Sequence, residues 1–231
     1  MYFGGLQKTT LIDYPEKVAC VIFTIGCNFR CPFCYSPELV LPEKIKNQSV
    51  IKDSEILNFL KKRKGKLDGV VICGGEPTIQ KDLDIFLKKV KKIGYLVKID
   101  TNGYLPEIIK KLLRENLLDY IAMDIKAPKE KYERYTGVKI DIKRIENSIK
   151  IIKSSNIDYE FRTTVAPGIS KEDIFKIANW IGPAKRYFLQ EFFEKKDIID
   201  PEIKKLPTLK KEEIKKVIKE IKNNFEICKI R

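Results

Sequence analysis

Cys27, Cys31 and Cys34 stand within eight residues, in the run Cys-Asn-Phe-Arg-Cys-Pro-Phe-Cys. Thiolates are soft ligands that suit zinc or an iron–sulfur cluster. Three on one loop can wrap a cubane and leave one iron without a protein ligand, whereas an electron-transfer [4Fe–4S] site needs a fourth cysteine. Cys20 and Cys73 fall inside runs that read as strands, and Cys228 lies far along the chain; all three read as small buried hydrophobes. An open iron is a coordination site for a substrate atom. A zinc site and a chance cluster of buried thiols are the competing readings. Histidine is absent, which removes a Ser-His-Asp triad, a Cys2His2 zinc site and a two-His-one-carboxylate iron site.

Other motifs add polar groups. In Gly74-Gly75-Glu76-Pro77 two glycines let the backbone approach a ligand, Glu76 offers a carboxylate and Pro77 fixes the turn; a plain strand-to-helix turn is the simpler reading. Asp100-Thr101-Asn102-Gly103 offers an acid and an amide, or an Asx-type turn. In Met123-Asp124-Ile125-Lys126 the acid and the base share one face, to contact a ligand or only each other. The Arg162 guanidinium is a fork that fits a carboxylate. Gln190 adds an amide.

These groups need a frame that brings them together. Short β-rich runs alternate with helical ones. Val18–Thr24, Gly69–Cys73, Leu96–Thr101, Tyr120–Asp124, Tyr159–Val165 and Tyr187–Gln190 read as strands, several of them continuous apolar runs suited to a parallel sheet buried on both faces. Leu83, Phe86, Leu87, Val90 and Ile93 recur at helical spacing, as do Ile145, Ile149 and Ile152, and Ile174, Ile177, Ala178 and Ile181. The pattern predicts an α/β fold: a partial (β/α)6 barrel of parallel strands with right-handed crossovers over residues 1–207, its segment Glu191–Pro207 polar and irregular. A C-terminal appendage, residues 208–231, follows as a helix over Lys210–Asn223 and a strand over Glu226–Ile230. The cysteine loop, Gly74–Pro77, Thr101–Gly103 and Asp124–Lys126 each follow a strand, and Arg162 lies in the fifth. A parallel barrel gathers such strand ends at one mouth.

With an aromatic, Phe33, before the last cysteine, the loop resembles the signature of the radical S-adenosylmethionine superfamily. Gly74–Pro77 resembles that family's GGEP motif, and Asp124-Ile125-Lys126 is similar to the Asp-x-Lys segment of glycyl-radical activating enzymes. From Gly4 to about Pro207 the chain resembles activating proteins of anaerobic ribonucleoside-triphosphate reductase. The resemblance implies a [4Fe–4S] cluster on Cys27, Cys31 and Cys34 as the catalytic and metal-binding residues. It implies S-adenosyl-L-methionine beside it, with Phe33 and Tyr35 at its side and the methionine amino group held by Gly74, Gly75, Glu76 and Pro77. In this reading Asn102 faces the ribose, Asp100 a cation or the ligand's polar end, Asp124 and Lys126 the cofactor or a partner peptide, Arg162 the carboxylate and Gln190 the adenine or ribose. Reductive cleavage then yields a 5′-deoxyadenosyl radical that installs a glycyl radical on a partner enzyme. The electron comes from a low-potential donor such as ferredoxin or flavodoxin. Two departures stand out: Tyr35-Ser36-Pro37 replaces the His-Asn-Pro frequent in such activases, and no histidine is available late in the chain. Activation of a pyruvate formate-lyase-like protein, radical chemistry on a small molecule or RNA, and a non-catalytic metal or electron-transfer module are the alternatives.

Composition sets outer bounds. The 231 residues are 43% hydrophobic, enough for a core. The net charge of +14 comes from lysines interleaved with apolar residues in the helical stretches; these read as solvated outer faces, not as a nucleic-acid surface. No apolar run approaches the ~20 residues of a membrane span, and the start lacks the basic-then-apolar pattern of a secretory leader. The expectation is a cytoplasmic protein.

Overall fold

The computed structural model describes residues 1–193 and 197–231. Among them, nine strands run in chain order: β1 (Tyr2–Thr10), β2 (Ala19–Thr24), β3 (Ile51–Lys52), β4 (Gly69–Gly74), β5 (Leu96–Thr101), β6 (Tyr120–Asp124), β7 (Asp158–Val165), β8 (Ala184–Glu191) and β9 (Phe225–Ile230). They form one sheet ordered β3-β1-β2-β4-β5-β6-β7-β8-β9. From β2 onward every neighbouring pair is parallel, and β1 is antiparallel to both β2 and β3. Asp13, after β1, and Arg231, after β9, line the same cavity. The sheet is therefore curled into a partial barrel.

Six parallel strands were expected and seven are present. The extra one is β9, which pairs with β8 through Tyr187↔Cys228 and Leu189↔Ile230 after a crossover through the helix Lys211–Ile221. β1 escapes a sequence reading because its paired glycines and its run of four polar residues, Gln7 to Thr10, break the strand pattern. Of the segment Glu191–Pro207, residues 194–196 lie outside the described residues; Pro201–Lys205 is a short 3-10 helix.

The helices pack on the outside of the sheet. Leu83, Phe86, Leu87 and Val90 of the helix Leu83–Ile93 are buried there, as are Ile145, Ile149 and Ile152 of Ile142–Lys153. The helix Lys171–Ile181 starts at a capping box in which Ser170 Oγ accepts from the Asp173 amide and the Asp173 carboxylate accepts from the Ser170 amide. Strand residues of one parity, such as Ile22, Ile72, Ile99 and Ile121, meet these helices in the main core. The opposite parity faces the lumen. Low in the lumen, Ala19, Val21, Val71, Tyr14 and Tyr120 form a small apolar cluster. The inward positions of β5 and β7 are charged instead: Lys98, level with Val71 and Tyr120, and then Asp100, Glu160 and Arg162. β2 and β4 thus follow the expectation of strands apolar on both faces, while β5 and β7 alternate. No helix among the described residues is long and apolar enough to cross a membrane.

Candidate active site

The cysteine loop leaves β2 at Gly26 and is tied down by backbone contacts. The Gly26 amide donates to the Leu39 carbonyl at 2.7 Å, and Arg30 donates its amide to the Thr136 carbonyl and Nη1 to the carbonyls of Cys27 and Phe29, each at 2.7 Å. The Phe29 amide points at Cys27 Sγ at 3.3 Å. All three cysteines of the loop line one cavity of about 510 Å³ at the C-terminal strand ends. Burial, reinforced for Cys27 by Glu76 and for Cys31 by its neighbouring cysteines, pushes the thiols up to about 11 and about 12. A bound metal deprotonates such thiols outright. Among the described residues no three His, Cys, Asp or Glu side chains converge on a point where a single ion would sit.

The glycine turn presses on the start of this loop. Gly74 has φ +103° and its Cβ would stand 2.6 Å from the Thr24 amide nitrogen. The Gly75 amide donates to the Thr24 carbonyl at 2.9 Å and the Glu76 amide to the Gly26 carbonyl at 2.8 Å. In the structure the glycines admit the backbone of the cysteine loop, and both also line the cavity. Pro77 then opens the 3-10 turn Pro77–Ile79.

Glu76 is buried, and both its oxygens are used. Oε1 accepts from the Thr78 amide (3.0 Å), the Thr78 hydroxyl (2.5 Å) and the Thr101 hydroxyl (2.7 Å), and Oε2 accepts from the Asn102 amide (2.8 Å). Burial raises its pKa against these four bonds. Asn102 in turn donates Nδ2 to Asn28 Oδ1 at 2.7 Å and accepts from the Tyr104 amide at 3.0 Å. Its side chain, expected against a ribose, braces the cysteine loop here.

A row of charges forms the facing wall. Arg162 donates Nε to Asp124 and Nη1 to Asp100, both at 2.8 Å. Lys126 donates to the other Asp124 oxygen at 3.0 Å, and Lys98 to the other Asp100 oxygen. Burial alone would raise both aspartates, yet Arg162, with Lys126 or Lys98, holds each below the usual carboxylate range. Asp124 and Lys126 are therefore an ion pair that also lines the cavity. Lys126 Nζ stands 6.0 Å from the Phe33 ring centroid. Tyr35 stacks on Phe192 at 5.5 Å and its hydroxyl accepts from the Phe193 amide at 2.6 Å. Gln190, on β8 beside Thr164, completes the wall.

A family profile described as "Radical SAM superfamily" matches residues 21–181. The chain belongs to the radical SAM superfamily. It is thus an enzyme of a family that uses a [4Fe–4S] cluster and S-adenosylmethionine. It is 39% identical to a Methanocaldococcus jannaschii protein named "Putative glycyl-radical enzyme activating enzyme", over 99% of this chain and 95% of that one. It is 28% identical to the pyruvate formate-lyase-activating enzyme of Clostridium pasteurianum over 77% of this chain and 74% of that one. The fold superposes on Streptococcus suis SuiB, solved bound to S-adenosylmethionine, with a TM-score of 0.67 at 15% identity, covering 90% of this chain and 51% of SuiB. The chain thus spans about half of SuiB.

Several residues of this cavity were not singled out in the sequence. Asp13, Arg231 and Cys73 line the cavity with the motif residues. Cys73, read as a core filler, points inward because its parity on β4 matches that of Val71. Asn28 sits inside the cysteine motif as an unmarked spacer. Lys98 and Glu160 carried a legible signal: a charge inside an otherwise apolar strand run, two residues before Asp100 and Arg162 on the same face.

Proposed function

We propose that this chain is a glycyl-radical enzyme activating enzyme that holds its [4Fe–4S] cluster on Cys27, Cys31 and Cys34. Its proposed protein substrate is a glycyl-radical enzyme, anaerobic ribonucleoside-triphosphate reductase by the resemblance of its motifs. A cytoplasmic setting and a ferredoxin- or flavodoxin-type donor belong to the same reading. The observation that carries it is the shared cavity: three thiols of one loop open on the same space as the Asp124–Lys126 pair and the Arg162 fork. Near-full-length identity to a protein named as such an activase supports it. A cubane offers each thiolate its own iron, which suits three sulfurs of one loop on a shared cavity.

When bound, the reduced cluster supplies the electron that splits S-adenosylmethionine into methionine and a 5′-deoxyadenosyl radical. The chain's own groups bind and orient. Arg162 spends Nε and Nη1 on aspartates, which fixes the plane of the guanidinium and leaves Nη2 for a ligand carboxylate. Lys126 has ammonium protons beyond the one given to Asp124. Glu76 holds the turn and the Asn102 strand end in register with the cysteine loop, so the two walls keep a fixed spacing. Phe23, Phe29 and Phe33 add apolar surface beside the cysteines, where less water would reach a reactive species.

The test is anaerobic reconstitution with iron and sulfide, then S-adenosylmethionine and dithionite. 5′-Deoxyadenosine should form, and a co-incubated glycyl-radical enzyme from the same genome should develop a glycyl-type EPR doublet. Cleavage without a doublet on any such partner overturns the activase reading.

A further inference from the structure

Below the cavity row, towards the strand starts, a second set of charges closes the lumen. Glu160 on β7 has no exposure and sits two residues before Arg162 on the same face. Its carboxylate accepts two bonds from the Arg231 guanidinium, at 2.8 and 3.2 Å, and one from the Tyr120 hydroxyl at 2.8 Å. The Arg231 guanidinium carbon also lies 3.5 Å from the Phe188 ring centroid. Arg231 lines both the reaction cavity and a second cavity of about 610 Å³ at the opposite mouth of the barrel. The Glu160–Arg231 pair is the partition between them.

Arg162 Nη1 stands 2.8 Å from Asp100 and 4.0 Å from Glu160. Two carboxylates therefore compete for one edge of the guanidinium. In these two rows four cations, Lys98, Lys126, Arg162 and Arg231, meet three carboxylates, Asp100, Asp124 and Glu160. With Arg231 on Glu160, Lys98 on Asp100 and Lys126 on Asp124, every carboxylate has a cation of its own and Arg162 is the surplus one. Without Arg231 the simplest pairing gives Arg162 to Glu160, because a buried carboxylate with no cation is costly. We propose that Arg231 is a positioning residue: by taking the charge of Glu160 it keeps Arg162 up at the cavity wall, in place to meet the carboxylate of S-adenosylmethionine. The inference rests on the proposed role of Arg162 and adds the device that sets it.

Arg231→Met keeps a side chain over Phe188 and removes the charge. With cluster-reconstituted protein, S-adenosylmethionine affinity by calorimetry is expected to fall on the order of tenfold. Glu160→Gln removes the competing carboxylate and should bind as wild type does. The double variant Glu160→Gln/Arg231→Met should recover the affinity lost in Arg231→Met, and Arg231→Lys should retain it. A crystal structure of unloaded Arg231→Met should show Arg162 hydrogen-bonded to Glu160. Wild-type affinity in Arg231→Met, or a double variant as weak as Arg231→Met, overturns the inference; so does an Arg162 unmoved in the crystal. Failure of the wild-type protein to bind S-adenosylmethionine strikes instead at the functional reading, and the crystal still decides where Arg162 goes. Should Arg231→Met not fold, Arg231→Gln asks the same question: weakened binding with Arg162 turned to Glu160 supports the inference, and wild-type affinity with Arg162 in place overturns it.

Discussion

The carbonyl oxygen of Gly26 occupies the place where a side chain on Gly75 would begin; a Cβ there would stand only 1.9 Å away. The obstacle is backbone, not the end of a flexible side chain, and that backbone leads directly into the cysteine loop. Gly75→Ala must push the turn and the loop apart, breaking the bond from the Glu76 amide to the Gly26 carbonyl. A cost of about 1–3 kcal/mol is expected from such overpacking, with reduced iron retention after reconstitution. Denaturant midpoints and iron content check both, and an unchanged pair of values would mean that the loop tolerates the displacement.

Glu76 gathers four donors from two strand ends. Glu76→Gln keeps the volume but turns an amide nitrogen towards one of them, leaving a buried donor unpaired at about 1–3 kcal/mol. The Asn102 amide bond runs from this carboxylate, and Asn102 braces Asn28, so the disturbance reaches the cysteine loop. Both a lower melting temperature and weaker S-adenosylmethionine binding are expected. A melting loss with full affinity would confine Glu76 to a scaffold role.

Asp100 and Asp124 set an acid limb of stability. Both are half-buried, and Arg162 with the two lysines keeps their folded-state pKa values below the ordinary carboxylate value of ~3.9. On acidification the unfolded chain takes up protons first. The stability these pairs contribute is therefore present above about pH 4 and is lost as pH falls through the folded values. Glu76, raised by burial, acts in the opposite direction. Urea midpoints taken from about pH 6 to pH 3 should fall more steeply in wild type than in Asp124→Asn. Parallel limbs in the two proteins would remove this assignment.

The frame was legible because its strands are short, mostly apolar runs bounded by turn residues and its helices keep period 3.6. Leu96–Thr101 and Tyr120–Asp124 have the bounds expected of them. The motif positions at strand ends then place the polar groups at one mouth, and the cavity does join them. Other features were hidden for physical reasons. The glycine pair announces close approach but not to what; the partner, Gly26, lies 49 residues away in the chain. Asn102 and Glu76 line the cavity, as their types suggest, but their hydrogen bonds to one another's segments and to Asn28 join residues far apart in the chain, which no local pattern shows. The pairing of β9 with β8 depends on a crossover whose length alone says nothing of the side on which it returns. The link from Arg231 to Glu160 joins residues 71 apart, and nothing local marks either as a member of a pair.

Whether three or four thiolates hold the cluster is the question that separates a cofactor-cleaving site from an electron carrier. Cys31 and Cys73 both touch the cavity, and Cys20 is buried on the helix side. Any of the three changed to Ala should cost the unloaded protein about 0.5–3 kcal/mol, the range of ordinary buried substitutions. Iron separates them. Cys31→Ala is expected to leave the reconstituted protein without a stable [4Fe–4S] spectrum and without 5′-deoxyadenosine formation. Cys20→Ala and Cys73→Ala should load iron and sulfide as wild type does. Cys73→Ala is the stricter control, since its sulfur faces the same space as the cysteine loop. If the wild-type cluster gave an EPR signal indifferent to S-adenosylmethionine and Cys73→Ala destabilised that cluster or made it responsive, Cys73 would be a fourth ligand and no iron would be left open in the wild type. If Cys31→Ala still cleaved the cofactor, the three-cysteine loop would not be the ligand set at all.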